Sequence, residues 1–236
     1  MVKSSFKVLN EEEWMVQPQF SNANLRAAFS LKSIPVIGFE GRRSFAKKAG
    51  FDPNGLVIPK QTHSTNVSFA KSVNSIENCD GVFTDEKDIV CSIQVADCMP
   101  IYFAHCSKNV YGLVHAGWRG LVYGILESTS QLIFKNGYKL HDFETFIGPS
   151  IQKCCFEIRD DIVRNFKVEC VTPTEKKGKY KVDLQYQARR EMIQIGFKKN
   201  QIKVSTDCTY CFQEKYHSFR RDGKNSGRMI GLIGRA

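Results

Sequence analysis

Apolar residues in this chain fall into short runs with two different periods. Between positions 88 and 115 the runs are nearly unbroken: 88–95, 101–106 and 110–115 are rich in branched and aromatic residues. Runs of that length without polar alternation predict strands covered on both faces. Ser107-Lys108-Asn109 separates the last two and predicts a hairpin turn. Shorter apolar runs at 56–59, 143–147, 202–205 and 228–233 predict four more strands.

Helical spacing occurs elsewhere. Over 39–50, Phe45, Ala46 and Ala49 are apolar with basic residues between them, and Gly50 supplies a stop. Residues 121–135 predict one helix, with Leu121, Val122, Ile125, Leu126, Leu132 and Ile133 apolar and Gly137 closing it. A short helix is predicted at 160–166 and a longer one at 184–195, ended by Gly196. The first 30 residues show no clear period. This alternation predicts a mixed α/β domain with helices outside the sheets.

Composition narrows the picture. With 236 residues and no linker-like stretch, one domain spanning 1–236 is expected. The net charge is +10, but the lysines are scattered, many of them in turns such as Glu175-Lys176-Lys177-Gly178-Lys179. That pattern predicts a solvated surface and no nucleic-acid partner. The one dense cluster, Arg220-Arg221-Asp222-Gly223-Lys224, contains a turn and suits a single phosphate group. No apolar leader and no apolar run of membrane-spanning length occurs, so a cytoplasmic protein with no membrane partner is expected. A monomer or homodimer is expected. Nine cysteines at irregular spacing, in a reducing compartment, predict small buried hydrophobes such as Cys91 and Cys106 rather than disulfides.

Three residues stand apart. Cys98, in Val95-Ala96-Asp97-Cys98-Met99-Pro100, and His115, in Val114-His115-Ala116-Gly117, both sit at predicted strand ends. Pro100 predicts that the chain turns there, since proline cannot continue a central ladder. His63 lies in a loop, within Lys60-Gln61-Thr62-His63-Ser64. One thiolate and two imidazoles can fill three corners of a tetrahedral metal site and leave the fourth open, the pattern of catalytic zinc. The same residues allow a metal-free reading: Cys98 as nucleophile, His115 as base, and Asp97 or Gln61 in support. Both readings need Cys98 as thiolate.

Gly117-Trp118-Arg119-Gly120 predicts a helix start beside a positive side chain, a candidate anion site. Trp118 is a candidate to stack a flat ring or to fill the core. Cys208-Thr209-Tyr210-Cys211 has Cys-x-x-Cys spacing, but no second pair is evident and the adjacent Cys154-Cys155 looks poorly placed. Half a zinc knuckle and a redox pair are the alternatives for Cys208 and Cys211, and packing is the leading reading.

Taken in order, Gln61-Thr62-His63, Asp80-Gly81-Val82-Phe83-Thr84, Ala96-Asp97-Cys98-Met99-Pro100, His115 to Gly120, Ile147-Gly148-Pro149-Ser150-Ile151, Cys154-Cys155-Phe156-Glu157, Cys208-Thr209 and Ser226-Gly227-Arg228-Met229 closely resemble the YfiH-like family of purine nucleoside phosphorylases. That family was earlier labelled polyphenol oxidase or laccase-domain protein. The resemblance runs from about residue 56 to the C-terminus. It implies a single domain of α/β/β/α layers and a zinc ion held by His63, Cys98 and His115, which are also the catalytic residues. It implies phosphorolysis of adenosine, inosine, guanosine and methylthioadenosine, deamination of adenosine, and, by the older assignment, copper-dependent phenol oxidation.

The first 35 or so residues diverge from the family pattern. Residues 29–33 lack the arginine and glycine pair that relatives carry, and Gly41-Arg42 stands where relatives have Asn-Arg. Candidate substrate or phosphate contacts are Arg42, Gln61, Asp97, Arg119 and Arg228, with the helix start at Gly120 beside them. The leading expectation is a zinc enzyme, both transferase and hydrolase, acting on purine nucleosides and phosphate. The alternatives are a copper-dependent oxidoreductase acting on phenols, a Cys-His thiol hydrolase or cell-wall precursor editing factor, and a basic binding protein without activity. Only five histidines are present, which argues against a multicopper cluster.

Overall fold

Alternation along the strands divides the chain into two large sheets and one small one. The structure, a computed structural model, describes residues 6–8, 15–35 and 38–235. Residues 1–5 and 9–14, part of the stretch without an apolar leader, lie outside the described residues. In chain order run β1 (Phe6–Val8), β2 (Met15–Pro18), β3 (Leu25–Ser30), α1 (Gly38–Lys48), β4 (Leu56–Pro59), β5 (Val67–Phe69), β6 (Ser75–Ile76), β7 (Gly81–Thr84), β8 (Val90–Val95), β9 (Met99–His105) and β10 (Tyr111–Ala116). Next come α2 (Trp118–Val122), α3 (Ile125–Lys135), β11 (Phe143–Ile147), β12 (Glu157–Arg159), α4 (Asp160–Val163), β13 (Val171–Pro173), β14 (Lys179–Val182), α5 (Leu184–Ile195), β15 (Ile202–Val204), α6 (Phe219–Asp222) and β16 (Met229–Arg235). The first large sheet has the order β1-β2-β3-β16-β8-β4-β6, the second β15-β11-β9-β10-β7-β5, and the small one β12-β14-β13.

Successive residues of a strand point to opposite faces, and this sets the layers. On β9, Ile101 and Phe103 pack with Ile125, Leu126 and Ile133 of α3 and with Leu184, Ala188 and Met192 of α5. Tyr102 and Ala104 point the other way and meet Cys91 and Ile93 of β8 and Ile233 of β16 between the two sheets. Behind the first sheet, Val90, Ile230 and Leu232 pack on Phe45 and Ala46 of α1. Fully burying a side chain of this kind contributes roughly 1.5–3 kcal/mol. The outcome is the single mixed α/β domain expected, layered helix, sheet, sheet, helix. Among the described residues no helix is long and apolar enough to cross a membrane.

Three local expectations are corrected. The helix predicted over 121–135 is two helices, because Gly124 adopts φ 97° between α2 and α3. The helix start expected at Gly120 is at Trp118, capped by Gly117. Pro100 does not mark the turn: it is the second residue of β9, paired with His115, in a strand flanked on both sides. A proline fits there because the ladder has only begun. The turn comes earlier, at Asp97, where φ is 82°.

Candidate metal centre and its cavity

β8 belongs to one large sheet and β9 to the other, so residues 96–98 must step from layer to layer. Asp97 makes that step in a left-handed conformation, which costs a residue with a Cβ roughly 1–2 kcal/mol. Its own carboxylate holds the turn. It accepts from Thr209 Oγ1 at 2.6 Å, from Ser218 Oγ at 3.0 Å and from the Arg220 backbone N–H at 2.7 Å. Asp97 therefore does not support His115, and both its oxygens are engaged by protein donors. It anchors the loop that presents Cys98.

His115 is the penultimate residue of β10. His63 reaches the same point from the loop after β4, with φ 60°. Asp80, fully buried, organises both. It accepts from the backbone N–H groups of Thr62, His63 and Ser64 at 3.1, 3.1 and 2.7 Å, and from Ser64 Oγ at 2.7 Å. His115 Nδ1 lies 2.7 Å from Asp80 Oδ1. A carboxylate there makes Nδ1 the donor and leaves Nε2 free to ligate, the usual carboxylate–histidine support of a metal site. Cys98 Sγ is 3.8 Å from His63 Nε2, and the two imidazole rings are 4.9 Å apart at 73°. The three ligand atoms lie within 4.8 Å of one another. Gly117 makes this approach possible: a Cβ there would sit 2.7 Å from the His63 ring and 3.1 Å from Cys98 Sγ.

Electrostatics agree with the geometry. Burial opposes ionisation of Asp80, but hydrogen bonds from His115 and Ser64 outweigh it and bring the carboxyl down to about 2. Burial also opposes the Cys98 thiolate, yet the His115 charge and hydrogen bonds from His115 and His63 lower the thiol to about 6. For His115, burial disfavours the charge, while the Cys98 thiolate and Asp80 push it up to about 9. Without a metal the pair is thiolate and imidazolium near neutral pH. With one, the donor set fits a soft or borderline divalent ion with a fourth position open.

All three ligands line a cavity of about 580 Å³, a size that suits a small organic ligand. Trp118, Phe156 and Phe219 give it aromatic walls, and Arg119, Arg220 and Arg228 give it positive charge. The Arg119 guanidinium lies 4.5 Å over the Trp118 ring. Gln61 also lines the cavity, but its amide is committed to the β8 backbone: Nε2 donates to Gln94 O and Oε1 accepts from Gln94 N, both at 2.8 Å. Arg42 is displaced from its expected role. It is buried under β8, donates to Ser92 Oγ at 2.8 Å and Gln94 Oε1 at 3.2 Å, and is not among the cavity residues.

Sequence reasoning gave Asp80 no role. Its motif was visible, but no spacing rule ties a carboxylate to a histidine on another strand. The Arg220–Lys224 cluster divides: Arg220 lines the cavity, while Arg221 turns inward to the carbonyls of Thr209, Tyr210 and Tyr216. Cys154-Cys155, expected to be poorly placed to complete a ligand set with Cys208 and Cys211, instead converge on them, with all four sulfurs within 4.8 Å of one another.

Over residues 15–236 the sequence matches the family described as multi-copper polyphenol oxidoreductase laccase. The chain belongs to this family. Among its laccase-like relatives, purine nucleoside phosphorylase YlmD of Bacillus subtilis (strain 168) is 34% identical over 234 residues, covering 92% of this chain and 84% of its own. Adenosine deaminase RL5, from an unknown prokaryotic organism, is 30% identical over 227 residues, covering 89% and 86%. The crystal structure of YlmD from Geobacillus stearothermophilus superposes with a TM-score of 0.89 at 26% identity, over 98% of this chain and 99% of that one. The Bacillus licheniformis hypothetical protein YfiH shares the fold, with a TM-score of 0.87 at 24% identity over 97% and 98%. Relatives in the family thus bear the names of two purine reactions, while its description names a copper oxidation. Among the described residues the five histidines do not assemble into a multicopper cluster: His63 and His115 join Cys98, and the one other metal-capable group is all cysteine.

Proposed function

We propose that the chain is a zinc-dependent purine nucleoside phosphorylase that also deaminates adenosine, acting in the cytoplasm. The observation that carries this reading is the open Cys98–His63–His115 donor set, braced by Asp80, at the wall of an aromatic cavity that also holds three arginines. The substrates are adenosine, inosine, guanosine or methylthioadenosine with phosphate. The purine stacks against Trp118, Phe156 or Phe219. Arg119, Arg220 and Arg228 hold the phosphate and offset the charge that develops as it bonds to the anomeric carbon and the glycosidic bond breaks. The products are free base and ribose 1-phosphate, or 5-methylthioribose 1-phosphate from methylthioadenosine. In deamination, water adds to the purine carbon that bears the amino group and ammonia leaves. Zinc held by His63, Cys98 and His115 supplies a Lewis acid for this chemistry. Asp80 keeps His115 in the tautomer and orientation that can ligate.

A second reading has support of its own. A thiolate with two imidazoles also suits copper, and the family description carries that metal. The discriminating experiment incubates adenosine with zinc-loaded and with copper-loaded protein, with and without phosphate, and separates products by chromatography. Cys98→Ala runs alongside. The proposal predicts adenine and hypoxanthine only when phosphate is present, inosine with or without it, and none of the three from Cys98→Ala. Oxidation of a phenol by the copper form, assayed in parallel, with no product from adenosine in either form, would overturn it.

A further inference from the structure

A second group of metal-capable side chains lies outside the cavity. Cys154 and Cys155 sit in the loop after β11, and Cys208 and Cys211 in the loop after β15. Sequence spacing gave no reason to pair these two segments. The fold pairs them: β11 and β15 are parallel neighbours, and the pairing continues past their ends as a bridge between Ser150 and Cys208. Ser150 N donates to Asp207 O, and Thr209 N donates to Ser150 O. The two cysteine pairs are thereby carried to one point.

We propose that Cys154, Cys155, Cys208 and Cys211 form a second metal site, a tetrathiolate cradle for a zinc-class divalent cation. Three observations support it. First, Cys155 Sγ and Cys154 Sγ lie 3.3 and 3.7 Å from Cys211 Sγ, and all four sulfurs are within 4.8 Å of one another. A zinc–sulfur distance of about 2.3 Å sets the sulfurs of a tetrahedral site about 3.8 Å apart. Four sulfurs already near that spacing need only small side-chain rotations to close on one ion, whereas a single disulfide would leave two thiols over. Second, a polar shell is in place. The Gln152 backbone N–H points at Cys208 Sγ at 3.4 Å, the kind of outer hydrogen bond that orients a thiolate ligand. Third, four thiolates on a divalent ion leave a net charge of −2, and cations stand by. Lys181 Nζ donates to Cys154 O at 2.7 Å, and Arg220 Nη1 approaches Cys155 O at 3.5 Å.

The position gives the site a purpose. Ile151 and Phe156, on either side of Cys154-Cys155, line the cavity. Thr209, next to Cys208, is one of the donors that hold Asp97 and, through it, the turn that presents Cys98. A metal here would fasten two loops that otherwise meet by backbone hydrogen bonds and by the Gln152 side-chain amide, which donates to Ser205 O and Asp207 O, and so would stiffen one cavity wall. Four thiolates would fill every position of a tetrahedral ion, so the site is structural and holds no position for substrate.

The test measures metal content and thiolate spectra, not turnover. Protein purified with zinc is analysed by elemental mass spectrometry as wild type, as Cys98→Ala/His115→Ala and as Cys154→Ser/Cys211→Ser. The proposal predicts two zinc ions per chain in the wild type and one in each double variant. Cobalt(II) alone, titrated into metal-free Cys98→Ala/His115→Ala, should give the intense sulfur-to-metal absorption and visible bands of a tetrahedral tetrathiolate. This second measurement stands even if the cysteine variant does not fold. No bound zinc and no cobalt–thiolate absorption in Cys98→Ala/His115→Ala would overturn the proposal. So would a Cys155–Cys211 disulfide recovered by non-reducing peptide mapping from protein purified without oxygen.

Discussion

At the scale of single residues, two small decisions set the metal centre: Gly117 has no Cβ, and Asp80 has its carboxylate behind His115. Gly117→Ala places a methyl 2.7 Å from the His63 ring, so the imidazole must leave its position. This variant should stay folded by circular dichroism yet bind one zinc ion per chain fewer than the wild type; an unchanged zinc stoichiometry would show that His63 is not a ligand. Asp80→Asn should weaken zinc binding by about 10–100-fold, as loss of an outer-shell partner does, in competition with a chelator. An unchanged affinity would remove Asp80 from the site. Cys98 gives a pH prediction for metal-free protein. Its thiol is lowered from the usual 9.0 to about 6, so the thiolate persists as pH falls from 9 and is lost only near 6. Alkylation of Cys98 by iodoacetamide, followed by peptide mass spectrometry, should be nearly flat between pH 9 and 7 and halve near pH 6. An inflection near 9 would mean that the histidines do not act on the sulfur. Cys98 and His115 stood out in the sequence as candidates because soft ligands at strand ends are few, with His63, in a loop, as a third soft ligand upstream. Asp80 was not, because its role exists only once β7 lies beside β10.

At the scale of elements, the buried centre of the chain was the easiest part to read. β8, β9 and β10 are covered on both faces, so their apolar runs are continuous and their identity as strands follows directly. Boundaries depended on single backbone conformations, and there the reading failed. Gly124 interrupts what periodicity made one helix, since apolar spacing on α2 and α3 is compatible with either outcome. Gly124→Ala should cost roughly 1–2 kcal/mol in urea denaturation, because the left-handed geometry disfavours a Cβ. A neutral effect would favour a continuous helix. β5, β6 and the small β12-β14-β13 sheet were not read at all, being two to four residues long and only partly buried. The basic cluster around α6 shows how an element assigns roles that composition cannot. Arg220→Ala should raise the KM for phosphate by about tenfold and cost less stability than Arg221→Ala, since its one close carbonyl bond, to Glu157 O at 2.8 Å, is solvent-exposed. Arg221→Ala should instead lower stability by roughly 1–3 kcal/mol, since it leaves three backbone carbonyls without their donor. Equal effects of the two on phosphate would contradict the division.

At the scale of the whole molecule, the site follows from the stacking of two sheets. A chain that moves from β8 in one layer to β9 in the other must turn sharply at 96–98, and that turn is where Cys98 emerges beside His115. The mixed α/β class with helices outside the sheets was legible from element order, and the four layers were implied by the family resemblance alone. The convergence of Cys154-Cys155 with Cys208 and Cys211 was not, because it needs the parallel pairing of β11 with β15. The net charge of +10 is spread over the surface, but three arginines stand at the cavity, where an anionic co-substrate is proposed to sit. The measurement that bears most directly on the account is phosphorus NMR of zinc-loaded protein with inosine and inorganic phosphate, beside His115→Ala. The account predicts a ribose 1-phosphate signal that grows in step with free hypoxanthine and is absent from the variant. Inosine and phosphate left unchanged by the zinc-loaded protein, or cleavage that proceeds equally in His115→Ala, would contradict it.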